Sequence, residues 1–180
     1  MNITDTDFQL FATPATFAQD RSQLDVRWKE LQREAHPDRF AAQGPAAQRV
    51  AMQWSVRVNE AYQRLKDPVR RGAYLCELKG VSLGAEDNTV MPADFLVQQM
   101  QWREALDEID EADADVASGA KALKTLRTEV GAARDQALAS LEQLLDRQSD
   151  APAAAEQVRA LMFIERFAAD VEAKAPALGQ

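Results

Sequence analysis

The sequence has one cysteine and one histidine among its 180 residues. A single thiol, Cys76, cannot form an internal disulfide, and Cys76 with His36 cannot supply the three or four ligands of a zinc site. No apolar run approaches the roughly 18 residues that a membrane span needs. The first ten residues carry two aspartates and no Lys or Arg ahead of an apolar stretch, which is not the pattern of a signal or transit peptide. We therefore expect a cytoplasmic protein without membrane association, metal or cofactor.

Charge is distributed unevenly along the chain. Residues 1–75 hold 11 Lys and Arg against 9 Asp and Glu, whereas residues 76–180 hold 10 against 20. Nucleic-acid binding needs clustered cations to neutralise phosphates, and an acidic half joined to a nearly neutral half does not provide them. We therefore exclude nucleic acid as a partner and expect the two halves to have different roles.

Apolar residues of the first half recur at the spacing of helices. Two series each fall on one stripe at about 100° per residue. They are Leu24, Trp28, Leu31 and Ala35, and then Val50, Trp54, Val58, Ala61 and Leu65. This pattern predicts two facing amphipathic helices, from about Gln19 to Ala35 and from Pro45 to Leu65, with both tryptophans in the core. Thr4–Phe11 predicts a shorter helix with a threonine cap, and Asp67 caps a fourth helix that Gly80 ends.

The second half contains three longer apolar stripes. They are Phe95, Trp102, Leu106 and Ile109; Leu123, Leu126, Val130, Ala137, Leu141 and Leu144; and Val158, Leu161, Ile164, Ala168 and Val171. Gly119 is predicted to end the first of these helices, and the turn before Pro152 caps the third. The pattern predicts an all-α protein, with a helical hairpin domain at 1–77, a linker at 78–93 and a three-helix bundle at 94–180.

His36, Pro37 and Asp38 lie in the predicted connection between the two facing helices. Pro37 disfavours the α conformation at His36, so the helix ends there and the side chains are exposed at a corner. Three interpretations stay open. In the first, His36 is a surface residue beside a helix stop. In the second, it is a general base oriented by Asp38, although no Ser, Cys or second acid is placed to complete a site. In the third, the corner is a contact tip whose carboxylate accepts an arginine from a partner.

This corner resembles the signature of the J-domain family, the co-chaperones of DnaK-type chaperone ATPases. The His36-Pro37-Asp38 tripeptide stands between two facing amphipathic helices and follows a short aromatic-rich helix, as in that family. The resemblance covers nearly the whole chain and is closest to a member that serves iron-sulfur cluster assembly. The other residues that carry this resemblance are Leu31-Gln32-Arg33, Arg39-Phe40, 58–65, Asp67-Pro68, 71–75, Phe95-Leu96 and 103–109. Ala12 departs from the pattern, since family members often have Gly there.

For the first domain, the resemblance implies docking on a chaperone ATPase, here HscA, and a corner that triggers ATP hydrolysis. The residues that match the trigger and its docking cations are His36, Pro37, Asp38, Lys29 and Arg33. Helical spacing independently puts Lys29 and Arg33 at about 140° and 180° from Leu24, away from the core stripe. A solvated helix face is the alternative for Lys29. Three acids, Asp25, Glu30 and Glu34, dilute the positive charge of this face.

For the second domain, the resemblance implies binding of the iron-sulfur scaffold IscU and its delivery to HscA. The matching positions are Leu96, Val97, Met100, Gln101, Glu104, Glu108 and Phe163, with Gln101 where the family prefers Glu. Helical spacing puts Leu96, Met100 and Glu104 at about 100°, 140° and 180° from the core residue Phe95. An apolar patch rimmed by charge indicates a partner site. Phe163 is expected as an exposed aromatic, and the alternative is that Met100 and Phe163 enlarge the core.

These observations predict an adaptor without an active site of its own. It would bind IscU, bring it to HscA and raise the ATPase rate of that chaperone. Two alternatives stay open: a J-protein of the general DnaK with a different client, and a small hydrolase that uses His36 and Asp38.

Overall fold

The chain divides into two units, residues Met1–Leu75 and Cys76–Gln180. The computed structural model describes residues 2, 4–83, 91–111 and 116–178, with the side chains at 93, 110, 111, 116, 117 and 175–178 left out. Across these ranges the regular structure is helical, without a strand. The first unit contains α1 (Asp7–Leu10), α2 (Arg21–Glu34), a 3-10 helix (Pro37–Gln43), α3 (Pro45–Lys66) and most of α4 (Pro68–Leu78).

The first helices begin at side-chain caps. The Thr6 hydroxyl accepts a hydrogen bond from the Gln9 amide at 3.2 Å, and the Gln9 side chain accepts one from the Thr6 amide at 2.8 Å. This reciprocal pair satisfies two backbone donors at the start of α1. After α1 the chain turns at Ala12, whose φ of 52° lies in the left-handed region. Glycine adopts that conformation without a steric penalty, so alanine is an unusual residue at this turn.

A buried carboxylate joins α1 to α3. Asp7 is fully buried, and its two carboxylate oxygens lie 2.6 Å from Arg57 Nη2 and 2.8 Å from Arg64 Nη1. Its backbone amide donates to the Tyr74 hydroxyl at 3.1 Å. A buried charge is tolerated only when it is paired, so two arginines on one side of α3 hold the short α1 in place.

The hairpin of α2 and α3 has a narrower apolar core than the sequence predicted. Leu24, Leu31, Ala35, Val58, Ala61 and Leu65 are buried as expected. The prediction of Trp28 and Trp54 as core anchors is wrong, because both are only half-buried. The Trp28 indole N–H donates to Asn59 Oδ1 at 2.9 Å, so the ring must stay at the hairpin edge where that polar partner lies. Val50 is also outside the core, at 52% exposure, because it stands about 80° around α3 from Val58.

A polar cluster at one edge links the two helices of the hairpin. The Tyr62 hydroxyl donates to Asp25 Oδ1 at 2.6 Å, and Arg21 Nε donates to the same oxygen at 2.9 Å. The Tyr62 ring stacks on Trp28 with centroids 4.8 Å apart. The Tyr62 hydrogen bond, followed by that of Arg21, lowers the pKa of Asp25.

Replacing Tyr62 with phenylalanine is expected to raise the pKa of Asp25 toward its ordinary value, because the largest cause of the lowering is removed. Asp25 stabilises the fold above its unfolded pKa, and this contribution is lost as the pH falls through the lower folded pKa. The stability difference between wild type and Tyr62→Phe should therefore narrow below about pH 4. Carboxyl NMR titration measures the pKa, and urea unfolding at several pH values measures the difference.

Asp20 is the internal control for that titration. Its pKa is lowered by hydrogen bonds from Ser22 and Gln23, which do not involve Tyr62. An Asp25 pKa that stays low in Tyr62→Phe, or an Asp20 pKa that rises with it, would contradict the assignment.

The second unit contains α5 (Ala93–Glu111), α6 (Val116–Glu142), a π-helical turn (Gln143–Gln148) and α7 (Ala151–Leu178). The prediction that Gly119 ends a helix is wrong, because Gly119 is buried in the first turn of α6. Glycine lowers helix stability by about 1 kcal/mol but does not forbid a helix, and a missing side chain suits a buried position. The described part of α5 ends at Glu111, before residues 112–115, which lie outside the described residues.

The π turn changes which leucine enters the core at the end of α6. The sequence predicted Leu144, whereas Leu145 is buried at 4% exposure and Leu144 is half-buried. A π turn closes over five residues instead of four, so the residues after it are rotated backwards around the helix and Leu145 takes the core position. Asp150 then caps α7 by accepting a hydrogen bond from the Ala153 amide at 3.1 Å, as predicted for this turn.

The predicted linker lies only partly within the described residues. α4 ends at Leu78, and Gly80 follows in the left-handed region with a φ of 82°. Residues 84–90 lie outside the described residues, so the boundaries at 77 and 94 stay predictions. None of the helices in the described ranges combines the length and apolar character needed to cross a membrane.

Candidate partner-binding sites

The predicted trigger residues lie at the exposed tip of the helical hairpin. α2 ends at Glu34, and the 3-10 helix begins at Pro37. The side chains of His36 and Asp38 are 58% and 88% exposed. The corner is therefore open to a visiting protein.

Local hydrogen bonds hold this corner in one conformation. Pro37 occupies the first position of the 3-10 helix, and His36 is its N-cap. The Asp38 amide donates to His36 Nδ1 at 3.3 Å, and the Arg39 side chain donates to the Arg33 carbonyl at 3.2 Å. The corner thus presents an imidazole ring and a carboxylate side by side on its outer surface.

The same geometry does not favour hydrolysis at His36. The nearest carboxylate oxygen, Asp38 Oδ2, lies 3.7 Å from Nδ1, and the backbone amide of Asp38 takes that nitrogen's hydrogen-bonding position. A groove of about 400 Å³ lies next to the 3-10 helix, but it is apolar. Its lining residues are Glu34, Ala35, Phe40, Gln43, Ala47, Val50, Ala51 and Trp54. A substrate in this groove would meet neither His36 nor Asp38.

Lys29 and Arg33 lie on the outer face of α2 and are exposed. The three acids expected to dilute this face are engaged elsewhere, since Arg27 pairs with Glu30 at 3.1 Å and with Glu34 at 4.0 Å, and Asp25 pairs with Arg21. Among the described residues, no carboxylate lies within 4.0 Å of the Lys29 or Arg33 charge. Val26 stands on the same face and is 57% exposed. The face next to the corner is therefore cationic with an apolar centre.

The predicted scaffold-binding residues of α5 are exposed. Leu96, Val97 and Met100 are 42%, 58% and 69% exposed, and Gln101, Glu104 and Glu108 are also on the surface. Burying apolar side chains of this size in an interface is favourable by about 25 cal/mol for each Å² of apolar surface. Because the Met100 side chain is mostly exposed to solvent, the alternative that it enlarges the core is wrong.

Phe163 is half-buried, which lies between the exposed aromatic that the sequence suggested and the core residue of the alternative. Its ring stacks on Phe167 with centroids 6.0 Å apart and meets the edge of Phe95 at 5.6 Å. The Arg103 guanidinium lies over the Phe163 ring, 5.4 Å from its centroid. Phe163 thus forms the outer edge of an aromatic cluster between α5 and α7. Arg103 covers one side of its ring, a contact that the sequence did not predict.

The seven predicted residues do not form one flat patch. Leu96 and Met100 stand on the side of α5 that carries Arg103, the residue over Phe163. Val97 and Gln101 instead line a groove between α5 and the other two helices. Glu108 lines a separate cavity between α5 and the start of α6. Met162 is exposed on α7 next to Phe163. The sequence did not predict it as a binding residue, because which of these two adjacent side chains is exposed depends on how α7 is rotated against its neighbours.

Cys76 is not placed to bind a metal cluster. It is fully buried, its Sγ lies 3.7 Å from the Ala151 carbonyl oxygen, and burial raises the pKa of its thiol. A metal ligand must be a thiolate, which a raised pKa disfavours. Within the described residues, no group of three or more His, Cys, Asp or Glu side chains could hold a metal ion.

A helical hairpin with an exposed His-Pro-Asp corner, followed by a separate helical unit, defines a J-domain co-chaperone. The comparisons with known proteins narrow this class. Residues 91–172 match the family model described as the HSCB C-terminal oligomerisation domain. The chain is 48% identical to the co-chaperone protein HscB homologs of Burkholderia mallei and Burkholderia thailandensis over 174 residues, which is 97% of this chain and 96% of each relative.

Solved structures agree with the sequence relatives. Chaperone HscB from Vibrio cholerae is 35% identical with a TM-score of 0.81, over 97% of this chain and 99% of that chain. Human co-chaperone protein HscB is 25% identical with a TM-score of 0.83, over 97% of this chain and 84% of that one. The chain belongs to the HscB family of co-chaperones. This confirms the predicted all-α fold of a J-domain followed by a C-terminal helical bundle, and, since the relatives are named co-chaperones, the prediction that the protein is not an enzyme.

Proposed function

We propose that the protein binds the iron-sulfur scaffold IscU and stimulates the ATPase of HscA during iron-sulfur cluster maturation in the cytoplasm. The trigger is His36-Pro37-Asp38, and Lys29 and Arg33 dock the chaperone. The scaffold is held by Leu96, Val97, Met100, Gln101, Glu104, Glu108 and Phe163.

The exposed corner is the single observation that carries the first half of this proposal. Its proline, cap and backbone hydrogen bonds hold His36 and Asp38 outward before any partner arrives, so little conformational freedom is lost on binding. Opposite charge on the chaperone would meet the cationic face of α2 and speed association, with a strong dependence on salt.

The exposed surface of α5 supports the proposed binding of the scaffold. Exposed apolar side chains next to acidic ones are typical of the centre and rim of a protein interface. Glu104 and Glu108 carry the acidic part, so the complementary surface of the scaffold should be apolar with basic residues around it. The net charge of the second unit is consistent with an acidic docking surface.

A steady-state ATPase assay of HscA tests the proposal directly. We expect this protein and IscU together to raise the hydrolysis rate more than the sum of their separate effects, because the scaffold and the trigger act on the same ATPase cycle. DnaK in place of HscA serves as the control chaperone. Equal rates with and without this protein would reject the function, and stronger stimulation of DnaK would favour the general co-chaperone instead.

A further inference from the structure

The carbonyl group directly before the trigger is held by a side chain of the opposite helix. Ala35 follows the last residue of α2 and is buried at 3% exposure. Its carbonyl oxygen accepts a hydrogen bond from the Ser55 hydroxyl of α3 at 2.9 Å. Carbonyl groups at the end of a helix have no partner within that helix, so a buried helix end needs a partner from elsewhere. Ser55 supplies it from 20 positions along the chain.

This hydrogen bond acts on a peptide unit that belongs to the trigger. A peptide unit is planar, so the Ala35 carbonyl and the His36 N–H form one rigid group. The His36 N–H donates a long hydrogen bond to the Arg33 carbonyl at 3.5 Å, and the Arg39 side chain donates to the same oxygen at 3.2 Å. The peptide plane is therefore held at its carbonyl by α3 and at its N–H by the last turn of α2. Its orientation sets the direction in which the His36 side chain leaves the backbone.

Further hydrogen bonds between the two helices fix the position of Ser55 against α2. The Gln32 side chain donates to the Ser55 carbonyl at 3.2 Å and to Asn59 Oδ1 at 2.8 Å. A serine inside a helix commonly faces solvent or bonds the carbonyl four residues before it. Ser55 is half-buried and bonds the other helix instead. The packing of α3 on α2 is thereby transmitted to the corner.

We propose that Ser55 is a positioning residue for the trigger, because its hydroxyl orients the peptide plane from which His36 projects. The inference rests on the proposed function, and it gives α3 a part in stimulation without requiring Ser55 to touch the chaperone. Lys29 and Arg33 dock the chaperone whether or not this hydrogen bond is present. Loss of the hydroxyl should therefore lower the maximum stimulation and leave docking nearly unchanged.

Ser55→Ala in the full-length protein tests the proposal, with the HscA ATPase rate measured over a range of concentrations of the variant. We expect the maximum stimulation to fall about fivefold, because the carbonyl without its partner turns toward water and the peptide plane rotates with it. The concentration that gives half of the maximum should stay within about twofold of wild type, since docking through α2 is kept. Alanine favours a helix more than serine does, so α3 itself is not weakened.

Ser55→Thr keeps a hydroxyl at the same position and should recover most of the stimulation. NMR of the Ala35 carbonyl carbon and the His36 amide follows the peptide plane directly. We expect both resonances to move in Ser55→Ala and to return toward their wild-type positions in Ser55→Thr. Ser140→Ala, which removes the hydroxyl of a half-buried serine of α6, is the matched control and should change neither the resonances nor the stimulation.

Three results would overturn the positioning role while the proposed function stands. They are full stimulation by Ser55→Ala, a loss that Ser55→Thr does not recover, and a higher half-maximal concentration with an unchanged maximum. The last is the result expected when part of the variant is merely unfolded. If wild type itself does not stimulate HscA, the proposed function fails first, and the role of Ser55 fails with it.

Discussion

Replacing His36 with glutamine is expected to abolish the stimulation of HscA ATPase activity while leaving the fold intact. The rate with saturating variant should fall about tenfold or more toward the basal rate, because a trigger that couples two proteins contributes about 1–3 kcal/mol. Steady-state phosphate release measures the effect.

The structure gives the reason for so large an effect from one exposed residue. The imidazole ring is planar, and the hydrogen bond that its Nδ1 accepts from the Asp38 amide at 3.3 Å fixes the direction of the ring. Glutamine is longer and flexible, so it can donate a hydrogen bond but cannot present that donor in one orientation. The side chain is exposed, so its replacement should cost the fold only the N-cap hydrogen bond, about 1 kcal/mol.

His36→Asn separates the trigger from the cap. Asparagine is a favoured N-cap residue, so the 3-10 helix keeps its start, but the imidazole is gone. We expect the same loss of stimulation as with glutamine. Gln63→Ala, on the exposed face of α3, is the control and should stimulate fully. Full stimulation by either His36 variant would reject the trigger role.

Truncating Met100 and Phe163 together to alanine is expected to weaken IscU binding roughly 100-fold, or by about 2.7 kcal/mol. Met100 is the most exposed of the large apolar side chains named on α5. Phe163 is a half-buried aromatic with a rigid setting, and rigid aromatic anchors commonly dominate interface energetics. Calorimetry with purified IscU measures the change.

Part of the Phe163 effect could arise inside the protein, because its ring packs on Phe95 and Phe167. Single variants and thermal unfolding separate the two contributions, since Met100→Ala removes only an exposed side chain. Met52→Ala is the matched control, a methionine on α3 with 56% exposure. Unchanged IscU affinity in Met100→Ala and in the double variant would remove this surface from the scaffold site.

Much of the fold could be predicted because helical periodicity is a local property. The positions of Leu31, Val58 and Leu161 on their stripes were enough to identify them as core residues. The corner could also be predicted, since Pro37 acts on the residue directly before it.

Other positions could not be predicted from spacing. Asp7 is polar and near the chain start, yet it is buried because two arginines of α3, 50 and 57 positions later, meet it. Trp28 is large and apolar, yet it stays half-buried because its N–H needs Asn59. Both outcomes depend on partners that are distant in sequence.

The sequence by itself determined the helices, their apolar faces, the outward corner and the charge difference between the halves, because each depends on residues within a few turns of one another. The tertiary structure alone decided how the helices are rotated against each other. That rotation places Arg103 over Phe163 and brings Val97 and Gln101 to the edge of a groove against the other two helices. A helix can be rotated by a small angle at little local energetic cost, so only packing against its neighbours selects the final arrangement.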